Sequence, residues 1–171
     1  MSAFAVLVVV CVLAYLVRDI YEALKARRLL RLTWLTFAVM FANMVLLWMS
    51  WFRLCAVDPS RVDIPDVIRY AAIGAFAAGL ALFVVGLLTL RTLESDNNDL
   101  VTTGIYSRVR HPMYLAFILW LIALPMFYGG VVSMVLAAVF VANVLWWRSI
   151  EEKNLQARFP AYREYKKATL F

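Results

Sequence analysis

One stretch of the chain carries most of the groups able to do chemistry. His111, the only histidine, stands between Arg110 and Pro112, with Tyr106 and Tyr114 on either side. The residue before a proline is pushed out of helical geometry, and a proline suits the first turn of a helix. His111 is therefore expected at the start of a helix that begins at Pro112. Such a start offers unpaired backbone N–H groups and a partial positive charge, which suit an anionic group such as a carboxylate. Ahead of it, Thr102, Thr103 and Gly104 let the backbone turn and approach a ligand closely. An ionisable residue near membrane depth is a candidate functional group, and His111 is read as one. Arg108 and Arg110 have a simpler reading, as juxtamembrane cations that bind lipid phosphates.

A second polar cluster lies near the end of the chain. Glu151 and Glu152 follow Arg148 by three and four residues, so either can meet it on one helix face. That spacing fits a surface ion pair, or a carboxylate placed at the membrane boundary for a cationic or hydroxyl-bearing ligand. Leu155, Phe159 and Tyr162 recur at helical spacing and are expected to dock the tail on the bundle or the membrane. With a single His and no Cys near it, neither metal-ligand spacing nor a nucleophilic triad is present, and the glycine-rich dinucleotide fingerprint is missing.

The elements that position these clusters are apolar. Hydrophobic residues make up 65% of the 171, and the mean hydropathy is +0.81. That is well above a soluble domain and implies one all-α integral membrane domain over residues 1–171. Five spans are predicted, at residues 3–17, 32–52, 67–90, 113–128 and 131–147. The first three form an N-terminal set, and residues 91–171 form the region that holds the site. The chain begins apolar, without a basic leader or small-residue cleavage site, so the first helix is expected to remain. Trp34, Trp48 and Trp51 in the second segment read as interfacial aromatics. Gly74, Gly79 and Gly86 in the third mark either close helix packing or ordinary membrane composition. The last two segments, joined by Gly129 and Gly130, are expected to form a tight helical hairpin. At roughly 25 Å each they fall a little short of a 30 Å core, so a re-entrant pair is the alternative. Cys11 and Cys55 lie in or beside apolar segments and are read as packing residues.

The net charge of +6 reports topology in such a protein, not nucleic-acid binding. The basic stretch after the first segment, the loop before His111 and the charged C-terminal helix are placed on the cytoplasmic side. His111 and the tail can then meet.

With these residues in view, the chain resembles the isoprenylcysteine carboxyl methyltransferase and phospholipid methyltransferase group of membrane enzymes. The resemblance rests on Leu100 through Tyr106, on Arg110 through Tyr114, and on Glu151, Glu152 and Leu155 followed by Phe159, Tyr162 and Tyr165. It covers about the last seventy residues; the first ninety match only in being transmembrane. It implies S-adenosylmethionine as cofactor, with Asn98, Asp99, Leu100 and Val101 lining it, Tyr106 following, and His111, Pro112, Met113 and Tyr114 as its floor. Glu151 would contact it from the tail. Arg148 and Glu152 would serve the transfer itself, although the family arginine commonly lies four residues before the first Glu, where this chain has Trp147.

The implied reaction is methyl transfer to a lipophilic acceptor, most simply a prenylcysteine-type carboxylate, with cofactor from the cytoplasm and acceptor from the bilayer. A carboxylate needs no general base. A phospholipid amine would need one, with His111 or Glu152 as candidates, and a small thiol is a further option. Readings of another class are an NADPH-dependent reductase of the sterol type and a non-enzymatic membrane scaffold.

Overall fold

The computed structural model describes residues 2–27, 29–30, 33–93 and 100–171, and these residues form helices without a strand. Helix α1 runs over Ala3–Ala26, α2 over Trp34–Ala56, α3 over Asp66–Leu93, α4 over Pro112–Tyr128, α5 over Val131–Arg158 and α6 over Tyr162–Ala168. A short 3-10 turn, Gly104–Ser107, precedes α4. Helices α1, α2, α3 and α5 are long and apolar enough to cross a membrane, and α4 is a shorter apolar helix of 17 residues. The architecture is the all-α membrane bundle expected.

One boundary differs from the sequence reading in a way that matters. The first helix does not end at Val17 but continues to Ala26, so Arg18, Asp19 and Glu22 are helical. No proline or glycine interrupts residues 18–26, and the polar residues stay on the apolar helix's own register. Helix α5 runs unbroken past Trp147 through Glu151 and Glu152, as the spacing of Arg148 with the two glutamates requires.

The core is made by α1, α2, α4 and α5. Cys11, Tyr15, Leu47, Trp51, Leu54, Leu121, Phe140 and Trp147 are buried together in it. Trp51 is therefore a core residue and not an interfacial one; Trp48 packs on Phe52, Phe117 and Trp120, while Trp34 is exposed. Both cysteines are buried and free, as packing residues would be. The apolar residues left exposed on the long helices, such as Phe37, Phe41, Leu87 and Val135, face where lipid would lie.

Helix α3 stands outside this core and packs along α4. Gly79 and Gly86 allow that approach: a Cβ at Gly79 would lie 2.8 Å from the Trp120 Nε1 and 3.2 Å from the Ala116 carbonyl oxygen, and one at Gly86 would lie 3.2 Å from Pro112. Gly74 has open space around it, so of the three glycines two are packing residues. Trp120 also donates its indole N–H to the Phe76 carbonyl, tying α4 to α3.

The α4–α5 hairpin is as tight as predicted. Gly129 closes α4 in the left-handed region (φ 71°), and the loop before α3 clamps the turn. Val62 N–H donates to the Gly129 carbonyl, Val131 N–H to the Ser60 carbonyl, and the buried Asp58 carboxylate accepts from the Ser133 N–H (2.7 Å) and hydroxyl (2.8 Å). Asp58 thus fills the place of a side-chain cap at the start of α5, whose N-cap is Gly130.

This packing predicts a contrast between two glycines. Gly79→Ala is expected to destabilise the protein by about 1–3 kcal/mol, the usual cost of overpacking, whereas Gly74→Ala is expected to leave it within experimental error. Thermal unfolding of the detergent-solubilised variants, followed by tryptophan fluorescence, checks this.

Candidate active site

The site assembles where the start of α4, the C-terminal part of α5 and the tail meet. Leu100 and Val101 approach as partly buried extended chain, Gly104 turns the backbone at φ 58°, and the 3-10 turn buries Tyr106. The tail fastens this segment from below. Tyr165 donates its hydroxyl to the Tyr106 carbonyl at 2.5 Å. Arg110 N–H donates to the Leu170 carbonyl, and Leu170 N–H donates to the Arg108 carbonyl. The Arg110 side chain is 8% exposed and donates to the carbonyls of Lys166 and Thr169. Arg110 is thus a structural anchor for the tail and not a lipid-phosphate ligand; Arg108 stays exposed.

His111 is the N-cap residue of α4, with φ −127° and ψ 62°, and its side chain is not spent on capping. The first helical bond there is donated by Leu115 to the His111 carbonyl. The N–H groups of Met113 and Tyr114 therefore precede the ladder at the positive end of the helix dipole.

Glu152 is the centre of the arrangement. It is 6% exposed, and its Oε2 accepts from the Lys166 ammonium at 2.6 Å. Its Oε1 faces Arg110 Nε at 3.5 Å, His111 Nε2 at 3.5 Å and Arg148 Nε at 3.8 Å. Oε1 has no hydrogen bond within the protein, and neither do the Nε groups of Arg110 and Arg148. Tyr162, buried, brings its hydroxyl to 3.4 Å from His111 Nε2. Phe171 covers the Arg148 guanidinium, with 4.5 Å from Cζ to the ring centroid.

Burial lowers the pKa of His111 below the ordinary imidazole value; the nearby Glu151 and Glu152 pull the other way and lose. Burial likewise pushes the Tyr106 and Tyr162 hydroxyls up to about 12, so both are neutral at physiological pH.

A second face of α5 looks elsewhere. Asn143, Trp147 and Glu151 are spaced by four residues and share one side. The Asp19 carboxylate of α1 accepts from the Asn143 amide at 3.0 Å on both oxygens and from the Trp147 indole N–H at 2.6 Å. Trp147 is 2% exposed and stacks on Tyr15. Glu151, exposed, faces the Tyr114 hydroxyl, and the Tyr114 ring lies 5.7 Å from that of His111. Arg148 and Trp147, neighbours in sequence, therefore serve different faces: Arg148 the tail, Trp147 helix α1.

The expected residues Leu100, Val101, Tyr106, His111, Pro112, Met113, Tyr114, Arg148, Glu151 and Glu152 all lie in this region. Asn98 and Asp99 lie outside the described residues. Sequence reasoning missed Lys166, and it missed Asp19, Arg18 and Asn143. For Arg18 and Asn143 the signal was available in the i,i+4 spacings of Arg18 with Glu22 and of Asn143 with Trp147. Among the described residues no three His, Cys, Asp or Glu side chains converge as metal ligands would.

The sequence model of the phospholipid methyltransferase family matches residues 90–161. These residues belong to that family. The family segment includes the approach to α4, the hairpin and the Glu151–Glu152 end of α5, so the geometry above falls largely within it. The chain is also similar to the protein-S-isoprenylcysteine O-methyltransferase of Schizosaccharomyces pombe, at 30% identity over 107 residues, covering 60% of this chain and 45% of that one. It is similar to the cobalt-zinc-cadmium resistance protein CzcN of Cupriavidus metallidurans, at 35% identity over 94 residues, covering 53% and 44%. The chain thus spans less than half the length of these curated relatives. No solved structure matches it.

Two outcomes follow from the phospholipid methyltransferase segment's electrostatics. The native state favours neutral His111, so the unfolded chain binds more protons once pH falls to its ordinary pKa near 6.5. Thermal stability is expected to drop as pH is lowered through about 6.5, and His111→Gln is expected to flatten that drop. Glu152→Ala leaves buried cations without their carboxylate and is expected to cost about 3 kcal/mol, whereas Glu151→Ala costs under about 0.5. Melting temperatures at pH 7.5 and 5.5 check both.

Proposed function

We propose that this protein transfers a methyl group from S-adenosylmethionine to the carboxylate of a lipophilic, prenylcysteine-type acceptor at the cytoplasmic face of the membrane. One observation carries the reading: the N–H-bearing start of α4 lies beside both carboxylates of α5, with Glu152 buried against His111 and Glu151 exposed beside Tyr114. The similarity to an isoprenylcysteine O-methyltransferase points to the acceptor class. The cytoplasmic placement rests on the basic residues that flank the inner ends of α1 and α5.

The residues fit the cofactor's chemistry. A carboxylate suits the free N–H groups of Met113 and Tyr114 at the start of α4. An amine and ribose hydroxyls suit Glu151 and, from the sequence, Asn98 and Asp99. A sulfonium suits the aromatic faces of Tyr106 and Tyr114, both neutral rings near the floor. When bound, S-adenosylmethionine supplies an electrophilic methyl on a positive sulfur. Transfer of that methyl to a carboxylate oxygen would leave a methyl ester and a neutral thioether. No proton moves. The chain's work is to align acceptor and methyl and to exclude water, which Tyr106, Tyr162 and the fastened tail do from the cytoplasmic side.

A phospholipid amine is the second reading, favoured by the family that residues 90–161 match and by one feature of the site. An amine must lose a proton, and His111, kept neutral by burial, is placed to accept it.

Calorimetry with S-adenosylhomocysteine on the detergent-solubilised protein tests the cofactor. Saturable binding is expected, weakened by roughly tenfold or more in Glu151→Ala and in His111→Ala, the loss of one charge-assisted or buried contact each. Absence of binding, or binding of NADPH in its place, would overturn the proposal.

A further inference from the structure

Helices α3 and α4 run antiparallel, since Gly86 of α3 meets Pro112 at the start of α4 and Gly79 meets Trp120 further along it. The start of α3 therefore lies beside the end of α4, about 25 Å along that helix from His111. At this far end the two helices enclose a groove of about 180 Å³. Ala72, Ile73 and Phe76 line it from α3, and Ala123, Leu124 and Phe127 from α4. The walls are hydrocarbon, so the groove takes an apolar guest and not water; a cavity of about 150 Å³ already suffices for benzene. Ile73 and Phe127 stay exposed at its rim, which opens it to the bilayer.

A polar group stands over the groove. Arg69 precedes Ala72, Ile73 and Phe76 by three, four and seven residues and so shares their face of α3. Long helical side chains lean towards the helix N-terminus, here the membrane surface, which lifts the guanidinium to headgroup level. Its Nε is buried without an acceptor. One Nη pairs with Asp63 at 3.5 Å, but the Asp63 carboxylate is fully exposed, and a pair so open to water holds neither group firmly. Asp66, also exposed, lies one turn before Arg69 on α3. The mouth of the groove thus offers a fork of donors bracketed by two carboxylates. A phosphate suits the fork, and a primary ammonium suits the carboxylates. A head with net negative charge would meet Asp63 and Asp66 as well as Arg69.

From this juxtaposition we propose that the groove binds a zwitterionic phospholipid with a primary-amine head, of the phosphatidylethanolamine type. One acyl chain lies between α3 and α4, the phosphate is held by Arg69, and the ammonium faces Asp63 and Asp66. The depth agrees: from Arg69 to Phe76 the helix descends about 10 Å, within one leaflet of a 30 Å hydrocarbon core. The bound chain completes the seating of α3, which stands outside the core and is fastened to α4 at Gly79, Gly86 and the Trp120–Phe76 hydrogen bond. This lipid is held at the opposite end of α4 from Glu152, and its binding does not depend on the methyl-transfer reading.

The test titrates the full chain in detergent with phosphatidylethanolamine or phosphatidylglycerol and counts retained lipid by native mass spectrometry. The wild type is expected to retain one phosphatidylethanolamine, about fivefold tighter than phosphatidylglycerol, the worth of one interfacial charge contact. Arg69→Gln weakens its retention about fivefold. The double variant Asp63→Asn, Asp66→Asn loses the preference between the two lipids. Ile73→Trp, which fills the groove from its exposed rim, weakens both lipids alike. Circular dichroism shows unchanged helix content in all three, because the substitutions lie outside the core. A wild type that retains neither lipid, or holds phosphatidylglycerol as tightly, overturns the proposal. So does an Arg69→Gln or Ile73→Trp variant with wild-type retention, or a double variant that keeps the preference.

Discussion

A buried carboxylate has to be answered by positive charge, and in this protein Glu152 imposes that requirement on three separate parts of the chain. Lys166 comes from α6, Arg148 from one turn earlier on α5, and Arg110 with His111 from the entry to α4. Removing two ions from water is costly, and the cost is offset only when geometry and further hydrogen bonds hold the partners in place. Here the holding is done by main-chain contacts. Leu170 pairs with the backbone around Val109, and Tyr165 reaches the Tyr106 carbonyl. The tail is thus required for the shape of the segment it covers.

That constraint also explains why helix α5 divides its labour. Successive residues on a helix point about 100° apart. Arg148 and Glu152 turn towards the tail, so the face bearing Asn143, Trp147 and Glu151 is left for α1 and for Tyr114. A methyl transferase of the proposed kind needs two access routes, one aqueous for the donor and one lipidic for the acceptor. Under the proposed function, the two faces of this helix would serve the donor and the acceptor separately.

Much of this was legible in the sequence because it is local. The pre-proline His111, the turn at Gly104, the glycine pair of the hairpin and the i,i+4 pair of Arg148 with Glu152 each announce a backbone or side-chain geometry within a few residues. What was not legible depended on distant partners. Arg110 looked like a lipid-phosphate ligand because nothing nearby in sequence competes for it; its partners lie in residues 166–169. Trp51 looked interfacial by position, yet the packing of Phe140 on it places it in the core. The end of the first helix was set too early by taking charge as a boundary, when the Asp19 carboxylate bonds across to α5 from within the helix. Two of the three glycines of α3 proved to be packing residues, a distinction that required knowing where Trp120 and Pro112 lie.

The central claim is that the site built around Glu152 and the start of α4 moves a methyl group onto a carboxylate. The most direct measurement supplies membranes containing the protein with S-adenosylmethionine labelled in the methyl group, together with a farnesylated cysteine acid. Label recovered in the organic phase that base releases as methanol, lost when Glu152 is replaced by Ala and when the acid is replaced by its amide, is the predicted result. Label that is base-stable, or transferred equally to the amide, would contradict the account.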